Sequence, residues 1–156
     1  FEIIFPVHPR TVKRLESFGL MEKLKRKNIT LIEPVGYFDF LTFLDNAKLL
    51  ITDSGGALKE ATAYKVPTIL YNNDWPDSEG LGVFWKLSGY SGKNILKLTE
   101  EFLKPEFKGS IKNLPSPFGD GKSSQRILEI TQNVFEKGEL KTPERSDTAP
   151  LPKHSI

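Results

Sequence analysis

Five short runs of apolar, β-branched or aromatic residues, at 3–7, 29–32, 49–52, 68–71 and 83–87, recur along the chain with helical patterns between them. This alternation limits the fold severely. A strand that reaches its neighbour through a helix makes a right-handed crossover, and repeated crossovers lay the strands parallel with helices on both faces. Val12, Leu15, Phe18 and Leu24 mark one face of a Lys-rich helix, and Phe40, Leu41, Phe43, Leu44 and Ala47 mark a second. Residues 57–64 read as a third. Beyond the last strand, 91–103 and 122–135 show helical spacing, the latter headed by Ser123 and Ser124 as candidate amino-terminal caps. The expected class is α/β, a Rossmann-like three-layer domain with a parallel sheet. Residues 1–136 are expected to form it, and the polar, Pro-containing stretch 137–156 a flexible tail. The opening Phe1-Glu2-Ile3-Ile4-Phe5 reads as a strand already under way, so the domain is expected to lack its first strand–helix unit.

Charge and composition exclude several classes. Twenty-two Lys and Arg against 20 Asp and Glu leave a net charge of +2, too balanced to mark a nucleic-acid binder. The Lys-rich helix of 13–27 is most simply a solvated outer face. Cysteine is absent, which removes disulfides, thiolate metal sites and thiol nucleophiles, and fits a cytoplasmic setting. No apolar run approaches the roughly 20 residues that span a bilayer. Neither a metal nor an organic cofactor is indicated.

In an open parallel sheet, ligands bind beyond the carboxyl ends of the strands, where loops and helix amino-termini converge. Polar clusters sit at such ends here: His8-Pro9, Glu33-Pro34, Asp53-Ser54-Gly55-Gly56 and Asn72-Asn73-Asp74. The third runs from a buried strand straight into a helix. Its two glycines allow a sharp turn and a close approach of ligand to backbone, and the free N–H groups of the first helical turn, with the Ser54 hydroxyl, suit a phosphate oxygen. Glu60, one turn beyond Gly56, is placed to accept hydrogen bonds from two ribose hydroxyls. A second reading stays open, in which Ser-Gly-Gly is only a tight turn with Asp53 or Ser54 as the helix cap. His8, likewise, is either a ligand or a locally hydrogen-bonded imidazole. Trp75 and Trp85 read as core or lid packing rather than base-stacking platforms. The stretch Phe118-Gly119-Asp120-Gly121-Lys122-Ser123-Ser124 lacks both the spacing and the preceding strand of a P-loop.

Four groups of residues stand in register: Pro6-Val7-His8-Pro9; Ile32-Glu33-Pro34 with Tyr37-Phe38-Asp39-Phe40; Thr52-Asp53-Ser54-Gly55-Gly56 with Lys59-Glu60-Ala61; and Pro117-Phe118-Gly119-Asp120-Gly121 with Arg126-Ile127. In order and spacing they resemble the non-hydrolysing UDP-N-acetylglucosamine 2-epimerases. That resemblance implies the carboxyl-terminal half of a glycosyltransferase-B-like, two-domain fold, with UDP-sugar in the cleft and a homodimer as the full-length enzyme. It implies that Ser54, Gly55 and Gly56 meet the diphosphate, Glu60 the ribose, and Phe40 the uracil. His8 matches a cleft histidine where a second, activating UDP-sugar binds in some members. The implied reaction interconverts UDP-GlcNAc and UDP-ManNAc, for polysaccharide biosynthesis, by elimination and re-addition of UDP. Its carboxylates lie in the amino-terminal domain, so no catalytic residue is expected in this chain and the chain alone is expected to bind without turnover. Where the family has an Arg-rich stretch, this chain reads Asn72-Asn73-Asp74-Trp75-Pro76-Asp77-Ser78-Glu79, which removes a cationic clamp. Two alternatives therefore stand beside it, the donor-nucleotide domain of a glycosyltransferase and a non-catalytic nucleotide-sugar-binding paralogue.

Overall fold

Every strand run of the sequence becomes a strand in the computed structural model, which describes residues 1–138. The order is β1 (Ile3–Pro6), α1 (Pro9–Ser17), α2 (Met21–Leu24), β2 (Ile29–Ile32), α3 (Tyr37–Asn46), β3 (Leu50–Thr52), α4 (Gly55–Ala63), β4 (Thr68–Leu70), β5 (Trp85–Leu87), α5 (Gly92–Phe102), α6 (Pro105–Ile111) and α7 (Ser123–Glu136). The chain divides into two compact units, Phe1–Phe118 and a second that begins at Gly119 and carries α7.

All pairings are parallel, as the alternating pattern requires. They fall into two sheets, however, β1–β2 and β3–β4–β5, with no hydrogen bonding between β1 and β3. β4 is the central strand of its sheet, and Thr68, Ile69 and Leu70 are all buried. This is the continuous apolar run expected of a strand covered on both faces. One core cluster joins Leu58 of α4, Leu70, Phe84, Trp85 and Ile111, with Trp75, Leu87 and Phe107 packed against it. A second joins Leu44, Ala61 and Val66, with Phe40, Leu41, Ala47 and Leu50 around it. α4 thus contributes to both clusters, which fixes the helix that follows the Ser-Gly-Gly turn.

Three local details differ from the sequence reading. The Lys-rich helix breaks at Gly19, which takes φ +63°, while the Leu20 amide reaches back to the Leu15 carbonyl at 2.8 Å and the Gly19 amide to Glu16 at 3.0 Å. That pair of bonds is the Schellman stop, and its left-handed residue suits glycine. α4 ends on the same motif with Lys65 in the left-handed position (φ 59°), at a cost of roughly 1–2 kcal/mol that the burial of Val66 helps to offset. α6 was not marked by periodicity; Pro105 opens it and buried Ile111 closes it. Finally, Ser123 and Ser124 lie inside α7, whose cap position is Lys122 with no side-chain cap bond. Residues 139–156, including His154 and most of the expected tail, lie outside the described residues. No helix among the described residues is long and apolar enough to cross a membrane.

Candidate functional site

β3 delivers the chain to the site. Thr52 ends the strand, its hydroxyl accepts the Ser54 amide at 3.1 Å, and Ser54, in extended conformation, becomes the cap of α4. The Ser54 hydroxyl oxygen accepts the Ala57 amide at 3.4 Å, and the Ser54 carbonyl accepts Leu58 at 3.0 Å. The amides of Gly55 and Gly56, first in the helix, have no acceptor among the described residues. The capping and anion-binding readings of this turn are therefore compatible. A serine hydroxyl that accepts from Ala57 still has its own proton to donate outward, beside two free N–H groups and the positive end of the helix dipole.

The two glycines turn out to have different reasons. Neither has a positive φ, so the turn itself does not demand them. A Cβ on Gly55 would lie 2.3 Å from Cζ2 and 2.8 Å from Cη2 of Trp75, whereas one on Gly56 meets only the Ser54 oxygen at 3.8 Å. Gly55 is small because an indole is packed on it; Gly56 is exposed and leaves its backbone open to approach. Trp75 comes from the loop that follows β4. Its indole nitrogen is buried with no hydrogen-bond partner among the described residues. The same loop is pinned to α4 by an ion pair of 2.8 Å between Asp77 and Lys59, and Lys59 also lies over the Phe118 ring. Asp74 accepts the Trp75 amide at 2.7 Å. Asp74 and Asp77 of this loop thus have local partners.

Glu60 lies one turn further along α4, half-buried, and faces Tyr37 at the start of α3. The nearby charge of Glu60 first, then desolvation, raises the Tyr37 phenol above its ordinary 10.0. Tyr37 is 58% exposed, so this pair is open to solvent. In the sequence Tyr37 is one position of a motif; its pairing with Glu60 joins two helices and has no local sequence signal. Phe40, one turn along α3, packs against the Leu44–Ala61–Val66 cluster and is only partly available to a ligand. His8 does not join this group. It caps α1, its Nδ1 accepting the Arg10 amide at 3.2 Å, and it makes no hydrogen bond or ion pair with Ser54, Glu60 or Phe40. A hollow of about 500 Å³ lined by Phe1, Leu96, Thr99, Leu103 and Pro105 contains none of the candidate residues.

In the second unit, the Gly119–Gly121 turn is closed by Asp120. Its carboxylate takes both guanidinium nitrogens of Arg126 at 2.7 Å each and the Lys122 amide at 3.1 Å. Those bonds hold the carboxyl down at about 2. The Lys122 amide and the Arg126 guanidinium, donors that a phosphate would use, are thus taken by Asp120, and the segment is a helix-entry turn.

The sequence profile described as UDP-N-acetylglucosamine 2-epimerase matches residues 1–132. The chain belongs to that family. The UDP-N-acetylglucosamine 2-epimerase of Methanocaldococcus jannaschii is 44% identical over 131 residues, 82% of this chain and 34% of the relative. The Bacillus subtilis enzyme of the same name is 30% identical over 133 residues. The solved M. jannaschii epimerase in complex with UDP-GlcNAc and UDP superposes with a TM-score of 0.73 at 41% identity, covering 85% of this chain and 36% of that one. The chain thus spans about a third of the length of the relatives it matches.

Proposed function

We propose that this chain is the nucleotide-binding third of a UDP-N-acetylglucosamine 2-epimerase and that it holds UDP-sugar on the amino-terminus of α4. The diphosphate sits on the amides of Gly55 and Gly56 with the Ser54 hydroxyl donating alongside, and the ribose diol meets Glu60, where Tyr37 rims the pocket. The observation that carries this assignment is the pair of unclaimed amides behind a capped, exposed serine. The family relationship and a relative solved with UDP-GlcNAc and UDP support the choice of nucleotide. Phe40, partly buried against the core, offers the uracil its exposed part only.

In the complete enzyme, interconversion of UDP-GlcNAc and UDP-ManNAc by elimination and re-addition of UDP needs a proton removed and returned at the sugar, by carboxylates outside this chain. Here the chain's own task is to retain UDP between the two steps and keep it aligned for return. A homodimer and a cytoplasmic setting go with that role. The loop 72–79, which contains no Lys or Arg, favours a second reading, a nucleotide-sugar binder without turnover.

Calorimetric titration of UDP separates the alternatives at the level of the site. Glu60→Ala is expected to weaken UDP by roughly 1.5–3 kcal/mol, the scale of hydrogen bonds to a charged group. An unchanged affinity would discard the ribose assignment.

A further inference from the structure

The carboxyl ends of β4 and β5 carry a second group of open side chains beside the Ser54 turn. Tyr71 follows β4 directly, and its amide donates to the Thr52 carbonyl at 2.8 Å, while the Thr52 hydroxyl accepts the Ser54 amide at 3.1 Å. Tyr71 is thus tied to the residue that leads into the cap of α4. Tyr90 reaches the group from the loop after β5. The two rings meet edge to face, with centroids 5.2 Å apart and planes at 70°, and they are 41% and 62% exposed. Neither belongs to a core cluster. Open aromatic rings at this end of a parallel sheet are the kind of surface that lines ligand sites.

Hydrogen bonds, rather than burial, fix the pair. Asn72 stands between the two tyrosines, and its side-chain oxygen accepts the Tyr90 hydroxyl at 3.1 Å and the Asn73 amide at 2.8 Å, which uses both of its lone pairs. Turning the amide over would set its NH2 group against the Asn73 N–H, so the network determines its orientation. That NH2 group has no acceptor among the described residues. The loops beneath interlock. The Gly89 amide donates to the Asn72 carbonyl at 3.0 Å, and Gly89 takes φ +61° with the Asn73 side-chain oxygen 3.1 Å from where a Cβ would stand. Buried Ser88 holds the Leu70 carbonyl through its amide at 3.0 Å and its hydroxyl at 3.3 Å. Two rings and one oriented donor are therefore set on a firm base.

The chemistry of this shelf selects its ligand. A phosphate would call for a cation, and the loop 72–79 contains none. A flat base stacks on one face, whereas two rings at 70° make a corner. A pyranose has an apolar face of C–H groups and a rim of neutral oxygens, which suit an aromatic surface and an amide donor respectively. We infer that Tyr71, Asn72 and Tyr90 form a sugar subsite, in which the tyrosine pair lies against the C–H face of the hexosamine ring of a UDP-sugar and the Asn72 amide donates to an oxygen on its rim. This inference rests on the placement of the diphosphate at α4, which sets the sugar beside Thr52 and Tyr71.

Titration of the 156-residue chain with UDP and with UDP-GlcNAc, followed by calorimetry and by NMR of the tyrosine rings, tests it. UDP-GlcNAc should bind at least about threefold tighter than UDP, the scale of one neutral hydrogen bond. The ring signals of Tyr71 and Tyr90 should move saturably with UDP-GlcNAc and stay near their starting positions with UDP. Tyr71→Leu, and Asn72→Asp, which keeps the oxygen that accepts from Tyr90 but loses the NH2 group, should each bring the ratio of the two affinities to about one. For Tyr71→Leu the affinity for UDP should stay within about twofold of the parent. Equal affinities with unmoved rings in the parent, a measurement that needs no variant, would overturn the subsite, as would a ratio that survives both substitutions. Rings that move as far with UDP as with UDP-GlcNAc would give the shelf to the nucleotide and overturn the sugar assignment. A chain that binds no UDP would instead remove the diphosphate placement, and the subsite with it.

Discussion

Replacing Gly55 by alanine sets two effects against each other at the heart of the site. Alanine in the first turn of a helix ordinarily stabilises a chain by about 0.4–1 kcal/mol, because it has less freedom to lose than glycine. Here the new methyl would stand 2.3 Å from one carbon of the Trp75 indole and 2.8 Å from another, well inside contact distance. The indole must move, and it packs against the Leu58–Leu70–Phe84–Trp85–Ile111 core, so the strain falls in the range of about 1–3 kcal/mol typical of overpacking. The expected net loss is about 1–2 kcal/mol, read as a lower urea midpoint at unchanged slope. Emission from Trp75 should shift toward that of an exposed indole, over the constant signal of fully buried Trp85. Two controls isolate the cause. Gly56→Ala, which meets nothing closer than 3.8 Å, should be neutral or stabilising. In a Trp75→Ala background, Gly55→Ala should also become stabilising, a coupling of about 2 kcal/mol between the two positions. A Gly55→Ala chain at least as stable as the parent would refute the packing explanation for this glycine.

Two further expectations concern titration. Because the negative charge of Glu60 is the main reason Tyr37 ionises late, Glu60→Gln should bring the phenol back toward 10.0 in a spectrophotometric titration; an unmoved midpoint would separate the two residues. Asp120 has the opposite sign. Its carboxyl is lowered from 3.8 to about 2, chiefly by Arg126, so the stabilisation of its turn is complete above 3.8 and is lost as pH falls through about 2. A carboxyl NMR titration should place Asp120 near 2 and Arg126→Gln should move it toward 3.8; an Asp120 midpoint already at 3.8 in the parent would remove the ion pair from the account.

Much of this was legible in the sequence because it is local. Strand runs with β-branched residues, the Ser54 cap, the apolar face of α3 and the helical spacing of α5 each depend on neighbours a few positions away, and all appear in the structure, whereas the caps expected at Ser123 and Ser124 do not. So does the strand–Ser-Gly-Gly–helix turn. What was illegible is tertiary. Gly55 reads as a backbone requirement until Trp75, 20 positions on, is found against it. The Tyr37–Glu60 pair needs α3 and α4 side by side. Phe40 is partly buried against the core cluster, a contact that spacing alone does not reveal. His8 admits two readings in the sequence, and its Nδ1, accepting the Arg10 amide, shows local capping. The separation of β1–β2 from β3–β4–β5 was equally hidden, since pairing partners are not written in either strand.

The central claim is that the α4 amino-terminus grips a diphosphate, and backbone NMR of the chain titrated with UDP tests it most directly, with uridine as the phosphate-free comparison. The amide signals of Gly55 and Gly56 should move saturably with UDP, with a common dissociation constant, and stay near their starting positions with uridine. Saturable UDP binding that shifts other amides while these two remain still would contradict it.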